Sequence, residues 1–418
     1  MEKIWKNYKS TIILLGSILI GGAIGVVMGP EASVFKPIGD LFLNLLFMTL
    51  VPLVFFSVTS AIGNMGEMGR LGKILKNILI VFTITAVISA VLALIGVFIM
   101  NPTKGLDPSM FSSLMEGAVD TTEAESLNFF QQLVSTVTVT DFNQLLSKSN
   151  MLQLIVFSIL VGISIVMTGE VAKPLASFVN AGQAVMMTII NLIMKLAPLG
   201  LGAYFATVIG DLGPQILSGF ANVFVLYLVL TVIVYFGLFT IYAYIAGKKD
   251  GVKTFWKYAA TPTVTALATC SSAASIPVNM EYTKKMGVPD DIAETVIPLG
   301  ANTHKDGSVI GGVLKVTFLF GIFGYDMTSL SAIASILVVS FLVGAVMGAI
   351  PGGGMMAELL ILSIFGFSPE ALPIIAVIST IIDAPATVLN STGNTVCAMM
   401  VARFVEGKDW MTKSPVKN

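Results

Sequence analysis

Two apolar stretches near the carboxyl end of the chain carry polar and ionisable side chains at their centres. The first runs from Pro298 to Ser308 and the second from Asp383 to Asn394. A bilayer core offers no water, so helix-breaking and ionised residues persist there only where they line a cavity. Interrupted helices at corresponding positions of two halves are typical of secondary transporters. The two stretches therefore predict two broken membrane helices around a polar site.

Asp383 follows two isoleucines and lies inside the second stretch. A carboxylate in a membrane is costly unless it is paired, and it is therefore usually part of a functional site. The natural partner of a lone carboxylate is an amine-bearing substrate. The alternative is a structural ion pair within a helix bundle.

His304, Lys305 and Asp306 place three titratable groups in a row in the first stretch. Asp306 is a hard oxygen ligand suited to a small cation. Lys305 is a fixed cation that would compete for the same place. The alternative is that Lys305 and Asp306 merely neutralise each other.

Ser271 and Ser272, with Ser275, stand beside Pro277 in a weakly apolar segment. Hydroxyls and free backbone amides at the tip of a re-entrant segment can hold a carboxylate, because helix N-termini favour anions. The alternative is that these small residues only pack between membrane helices. Lys315 and Glu358 are the other charges in apolar segments, and they either pair with each other or face a protein–protein groove.

Composition places most of this chain in a membrane. Only 11% of the 418 residues are charged, against about 25% in a soluble domain. The mean hydropathy is +0.90. A net charge of −1 indicates no nucleic-acid partner, and two cysteines in apolar or small-residue segments do not form a disulfide framework. The single His304 lacks a second histidine for a metal cluster, so we expect neither an enzyme nor a cofactor.

Apolar segments are predicted at about 11–29, 36–63, 74–101, 129–168, 174–212 and 215–246. The connectors that hold Arg70, Lys248 and Arg403 are basic, whereas the connector at 103–127 is acidic. Basic connectors stay in the cytoplasm, so both termini are expected there. With no cleavable leader in view, this pattern predicts a multi-pass protein of a prokaryotic cytoplasmic membrane.

Two further segments, at about 253–290 and 329–366, are expected to dip into the membrane and return. The first is rich in Thr, Ser and Ala, and the second is centred on Ala349–Gly354, where Pro and Gly make a turn probable by composition. Each dip precedes one of the predicted broken helices. A dip followed by a broken helix, twice, predicts an inverted internal repeat.

Over nearly its whole length the chain resembles the dicarboxylate/amino acid:cation symporter family, which includes the glutamate transporters. The resemblance rests on ordered motifs at Ser271–Met280, Pro298–Ala301, Asp306–Ser308, Pro351–Gly354 and Asp383–Asn394. It implies an all-α polytopic membrane protein with eight transmembrane segments, two re-entrant hairpins and inverted repeats, working as an elevator. It also implies a homotrimer, in contact with membrane lipid. The implied scaffold comprises 1–70 and 103–212, the implied transport domain comprises 71–102 and 213–405, and 406–418 is a cytoplasmic tail.

The resemblance also implies residue roles. Ser271 and Ser272 would meet the substrate α-carboxylate together with Asn390, and Asp383 would bind the α-amino group. The remaining implied substrate residues are Thr387, Ser308 at the side-chain end, and Ile350 and Gly354 in the second hairpin. The implied ion or coupling residues are Gly300, His304, Lys305, Asp306, Thr85 and Asn394.

One departure from the family bears on the substrate. Members that carry acidic substrates have an arginine four residues before the motif asparagine, and here that position is Ala386. Arginine is the bidentate partner of a carboxylate. We therefore expect a small neutral amino acid resembling serine, threonine or alanine. The alternatives are an acidic amino acid or dicarboxylate held by Lys305, a sodium-coupled amino acid symporter, and a channel.

A second departure bears on coupling. Sodium-coupled members read Asn-Met-Asp-Gly-Thr where this chain has His304–Ser308, and they have an aspartate at the position of Asn394. Met347 replaces a sodium-site threonine, and Ala86 replaces a serine after Thr85. Oxygen ligands are lost and a lysine is added. The sequence thus predicts sodium-independent transport in which Lys305 substitutes for the bound cation, uncoupled or coupled to protons through Lys305, His304 or Asp306. A residual cation site at Asp306 is the remaining possibility for a metal.

Overall fold

A computed structural model describes residues 2–63, 70–106, 138–147, 150–212, 216–346 and 353–413. Within these ranges the chain is helical and contains no strand. Long apolar segments favour this outcome because a helix satisfies its backbone hydrogen bonds internally, without water. The acidic connector and the residues Met347 and Ile350 lie mostly or wholly outside the described residues.

Six helices make up the amino-terminal half of the described chain. Their bounds are α1 Glu2–Met28, α2 Lys36–Gly63, α3 Arg70–Met100, α4 Met151–Thr168, α5 Lys173–Ile193 and α6 Ala197–Leu212. The predicted single segment at 174–212 is divided by a 3-10 turn at Met194–Leu196. Its two parts are therefore separate helices.

The carboxyl-terminal half begins with a long segment, and its next-to-last helix is the longest in the described chain. The bounds are α7 Ile216–Val232, a π-helical turn at Ile233–Leu238, α8 Phe239–Tyr258, α9 Ala260–Thr269, α10 Ser272–Lys285, α11 Asp290–Thr303, α12 Asp306–Ile322, α13 Leu330–Val346, α14 Gly353–Phe365, α15 Leu372–Glu406 and α16 Trp410–Lys413. The two halves of the chain thus differ, since short helices are concentrated in the second.

Five helical stretches in the described part of the chain are long and apolar enough to cross a membrane. They are Gly16–Phe42, Gly72–Met100, Gln153–Ile190, Ile216–Tyr258 and Pro369–Glu406. By length and composition they make the chain a multi-pass membrane protein.

The first predicted interruption is confirmed, and the second is wrong. Helix α11 ends at Thr303 and α12 begins at Asp306, so His304 and Lys305 are the break. Helix α15 instead continues without interruption through Asp383–Asn394. Pro385 removes only one backbone N–H. Tight packing of the helix on its neighbours keeps the other backbone hydrogen bonds of the helix formed. The predicted repeat therefore has one broken helix rather than two.

Each predicted dip corresponds to a pair of short helices. Helices α9 and α10 pack against each other and are joined at Cys270 and Ser271. Cys270 has a φ of 46°, in the left-handed region, and thus lets the chain reverse within two residues. Helices α13 and α14 also pack together, and the residues that join them, 347–352, lie outside the described residues.

The core of the carboxyl-terminal half is formed by α12 and α15. Helix α12 is buried along nearly all of its length, and it packs against α3, α13 and α15. Helix α15 packs against both short-helix pairs as well as α8 and α11. The break before α12 consequently lies at the centre of the molecule.

Helices α1 and α6 approach each other through glycines. A Cβ at Gly21 would lie 2.1 Å from the carbonyl oxygen of Gly202, and one at Gly25 would lie 2.5 Å from that of Ala206. Gly21 and Gly25 are four residues apart, which is the spacing that lets membrane helices pack closely. The contact therefore depends on the absence of side chains.

We predict that Gly21→Leu lowers the free energy of unfolding by at least about 1–3 kcal/mol, because the new side chain meets backbone that cannot give way. The matched control is Gly16→Leu on the same helix, where no atom of another described segment lies within 4 Å of the Cβ position. The midpoint of thermal unfolding of the purified protein in detergent compares the stability of the two variants. Equal midpoints for the two variants would contradict the close contact.

Candidate functional site

The break between α11 and α12 directs two consecutive side chains to opposite sides. His304 is extended, with φ −127° and ψ 113°, and Lys305, with φ −145° and ψ 78°, is also far from helical. Successive side chains of an extended backbone point in opposite directions. Both side chains are nevertheless buried, at 2% and 5% exposure. Each must therefore find polar partners within the protein.

The His304 imidazole is surrounded by polar groups from three helices. Its Nε2 lies 2.7 Å from Thr85 Oγ1 and 3.1 Å from Asp306 Oδ1, and its Nδ1 lies 2.9 Å from Asn394 Oδ1. Phe82 stacks on the ring with the two centroids 4.2 Å apart. We call His304, Thr85, Asp306 and Asn394 the His304 cluster.

The partners of the imidazole are hydrogen-bond acceptors. Asn394 presents its carbonyl oxygen and Asp306 its carboxylate. Thr85 donates its own proton to the backbone carbonyl of Val81, at 3.1 Å, and so presents a lone pair to the ring. A histidine whose two ring nitrogens both face acceptors is best satisfied as the doubly protonated imidazolium. The arrangement therefore favours a positive charge on His304.

Gly300 makes room for this cluster. A Cβ at Gly300 would lie 2.3 Å from Asn394 Oδ1. Glycine is required at a point of such close approach, because any side chain would displace the asparagine. Gly300, His304, Asp306, Thr85 and Asn394, all predicted as ion or coupling residues, are thus brought together.

Lys305 extends away from this cluster. The carboxylate whose charge acts on its ammonium group is that of Asp383, and Lys305 acts on Asp383 in turn. Lys305 thus lies within electrostatic range of the residue predicted to bind a substrate amine. The space between Asp306 and Asn394 is occupied by the imidazole of His304 and not by the ammonium group of Lys305, which the sequence predicted as the substitute for a bound cation.

The remaining candidates on α15 share one face of the helix. Asp383, Thr387, Asn390 and Asn394 follow one another at intervals of four, three and four residues, which is the spacing of a single helical face. Asn390 Oδ1 accepts a hydrogen bond from the Ser308 amide at 3.2 Å, and its Nδ2 donates to Ser308 Oγ at 3.0 Å. The first turn of α12 is therefore tied to this face.

The close approach of α12 and α15 occurs at the position where acidic-substrate transporters have arginine. A Cβ at Gly307 would lie 2.5 Å from the carbonyl oxygen of Ala386. The carbonyl of Gly307 also accepts a 2.8 Å hydrogen bond from the hydroxyl of Tyr227 on α7. Sequence reasoning missed Tyr227 and Phe82, because both lie in ordinary apolar runs.

The tip between α9 and α10 presents Ser271 as a helix cap. Its Oγ accepts a 3.2 Å hydrogen bond from the amide of Ala274, and Ser272 is buried. Helix α10 is anchored on α15 by Asn279, which donates to the carbonyl of Ser391 at 3.0 Å. The cap leaves the first amides of α10 directed at the tip, as in an anion-binding helix N-terminus.

Gly354, near the start of α14, also reaches α15. Its Cβ position lies 3.7 Å from Ser379, one turn before Asp383. Lys315 and Glu358 are paired inside the protein, at 3.8 Å between Nζ and Oε1, which confirms the first of the two alternatives for these charges. No group of three metal-binding side chains occurs among the described residues.

Helices with ionisable groups at mid-length, around a break and the tip of a short-helix pair, define a secondary transporter. Residues 11–404 match the sodium:dicarboxylate symporter family, and the chain belongs to that family. It is accordingly a membrane transporter and not an enzyme, and the resemblance noted from its motifs is confirmed.

Several named relatives cover almost the full length of the chain. A "Proton/sodium-glutamate symport protein" of Bacillus caldotenax is 30% identical over 94% of this chain and 94% of the relative. A "C4-dicarboxylate transport protein" of Bacillus subtilis (strain 168) is 25% identical, over 96% and 94%. A "Proton/glutamate-aspartate symporter" of the same organism is 26% identical, over 94% and 96%. None of these names refers to a neutral amino acid.

We predict that the double variant His304→Asn with Asn394→Asp gains a sodium site. The change removes the imidazole and adds a carboxylate beside Asp306 and Thr85. Sodium at about 100 times its dissociation constant would then add about 2.7 kcal/mol to the free energy of unfolding. Thermal unfolding in sodium chloride and in choline chloride at equal ionic strength measures the difference.

The parent protein should unfold at the same temperature in both salts. Asn302→Asp is the matched control, because it adds a carboxylate at an exposed position of α11. A double variant that is indifferent to sodium, or a parent protein already stabilised by it, would contradict the substitution of a cation by His304.

Proposed function

We propose that the chain is a sodium-independent secondary transporter of a small neutral amino acid resembling serine, threonine or alanine. The observation that carries the sodium independence is the position of the His304 imidazole, which contacts Thr85, Asp306 and Asn394 at 2.7–3.1 Å. A protonated imidazole supplies the positive charge that a bound sodium ion would otherwise bring to Asp306. This proposal differs from the sequence prediction, because it assigns the role of the substitute cation to His304 rather than to Lys305.

The substrate class follows from the charges at the pocket. The charges of Lys305 and Asp383 act on each other, and they sum to zero when both groups are ionised. A zwitterionic amino acid can insert into such a pair, with its ammonium on Asp383 and its carboxylate near Lys305, and leave the net charge unchanged. An additional carboxylate on the side chain would bring an uncompensated charge into a site that lacks arginine at Ala386.

Protons are the favoured coupling ion in this proposal. Histidine changes its charge in the physiological pH range more readily than any other side chain. If His304 releases its proton in one orientation of the site, Asp306 loses its counter-charge, and the neutral and charged forms of the cluster differ in their preferred conformation. Because separating buried charges is costly, the protonation state of His304 thus affects which conformation the substrate site adopts.

The architecture proposed for this function is that of eight membrane segments with two re-entrant hairpins, assembled as an elevator-type homotrimer. The pairs α9–α10 and α13–α14 are the hairpins of this proposal, and both pack against α15. Ser271, Ser272, Thr387, Asn390 and Ser308 would contact the substrate. Ile350 and Gly354 would close over it, and the membrane would be a bacterial cytoplasmic membrane with both termini inside.

A second candidate is an acidic amino acid or dicarboxylate transporter. The names of the relatives, which refer to glutamate, aspartate and C4-dicarboxylates, favour it. In this alternative Lys305 takes the place of the missing arginine and binds the distal carboxylate of the substrate.

We predict that threonine and alanine compete with labelled serine for uptake into proteoliposomes, whereas aspartate, glutamate and succinate do not. Lys305→Met should raise the KM for serine about tenfold or more, since a hydrogen bond to a charged group contributes about 1.5–3 kcal/mol. The control is Lys285→Met on α10, where the lysine pairs with Glu281 at the surface.

Stronger competition by aspartate or succinate would replace this proposal with the second candidate. Uptake that neither saturates nor concentrates the substrate would instead indicate a channel.

A further inference from the structure

Two ionisable side chains outside the proposed substrate and cation sites meet in the interior. Lys315 on α12 is 2% exposed, and Glu358 on α14 is 1% exposed. The Lys315 Nζ lies 3.8 Å from Glu358 Oε1 and donates a 2.9 Å hydrogen bond to Ser379 Oγ on α15. One buried polar cluster, the Lys315 cluster, therefore joins three helices.

The Lys315 cluster lies within one to two helical turns of the proposed substrate residues. Ser379 is one helical turn before Asp383, and Lys315 is two turns after Ser308 on the same face of α12. The Cβ position of Gly354 is 3.8 Å from Glu358 Oε1 and 3.7 Å from Ser379 Oγ. The cluster thus connects the helices that carry three parts of the site.

The geometry of this cluster depends on where α14 lies. Glu358 Oε1 accepts no hydrogen bond within the described part of the chain, and the Glu358 carboxylate is stabilised by the nearby ammonium of Lys315 and by the hydroxyl of Ser379. A shift of α14 by a few ångströms would leave two buried charges without compensation. A buried ion pair adds little net stability over an apolar pair, but breaking it by removing one partner is strongly unfavourable. Such a pair can therefore specify the position of a helix.

We propose that Lys315, Ser379 and Glu358 are positioning residues that hold α14, and with it Gly354, against the substrate site. They act on substrate affinity through α14 and do not touch the substrate. The assignment of Gly354 to the substrate site rests on the proposed function, whereas the docking of α14 by the cluster does not.

The test uses Glu358→Gln, Lys315→Met and the double variant that carries both changes. Serine–serine exchange in proteoliposomes gives KM and maximal rate. Each single variant leaves one buried charge unpaired and should raise KM about tenfold with the maximal rate within about threefold. The double variant removes both charges and should return KM to within about threefold of the parent value, because the effects of coupled residues are not additive.

Hydrogen–deuterium exchange of Gly353–Phe365 should rise in the single variants and return to the parent level in the double variant.

The exposed pair Lys284–Glu294 supplies the control, since Glu294→Gln removes a surface charge and should change neither measurement. If the single variants unfold at a lower temperature but keep the KM and the hydrogen–deuterium exchange of α14 unchanged, the pair contributes to stability alone and does not position α14 for substrate binding. Equal effects in single and double variants would also overturn the proposal.

If Glu358→Gln does not fold, Ser379→Ala and the double variant decide the matter by the same two measurements. A parent protein that does not exchange serine defeats the proposed substrate, and the hydrogen–deuterium exchange of α14 still tests the positioning role.

Discussion

The need to compensate every ionised side chain without water is the constraint on which the rest of this structure depends. His304 is close to Asp306, Lys305 acts on Asp383, and Lys315 is near Glu358. In each pair the cation comes from α12 or from the two residues before it. Because an unpaired charge inside the protein is costly, the carboxylates of Asp383 and Glu358 favour the approach of α15 and α14 to this part of the chain, whereas Asp306 is itself the first residue of α12.

The extended backbone at His304 and Lys305 distributes two of these cations. Had α11 continued into α12, the two side chains would lie only 100° apart around one helix. The break instead directs the imidazole toward α3 and the end of α15, and the ammonium group toward Asp383. In the proposed function, the proton-binding group and a substrate-binding group would thereby be separated by a single peptide bond, and a change at one would reach the other through a short, buried stretch of backbone.

Much of this arrangement could be predicted from residue types. Charges and helix-breaking residues in apolar stretches correctly indicated the break at His304 and the approximate positions of both short-helix pairs. The pairing of Lys315 with Glu358 was one of two alternatives that the sequence left open. The second break was predicted incorrectly, because Pro385 and Gly393 suggest an interruption in sequence while the packing around α15 preserves the helix. The partner of each cation at 304–305 could not be predicted, since it depends on backbone dihedral angles that sequence order does not reveal. Tyr227 and Phe82 carried no local signal at all.

Membership of a family named for sodium and dicarboxylates makes coupling the most informative property to measure. Uptake of labelled serine into proteoliposomes, with an imposed sodium gradient, proton gradient or no gradient, tests the role of His304 most directly. Our account predicts that a proton gradient drives accumulation and that sodium has no effect at fixed pH. Strong stimulation of the unmodified protein by sodium would contradict it, because the oxygen atoms of Asp306, Thr85 and Asn394 would then hold an ion in the place that we assign to the imidazole.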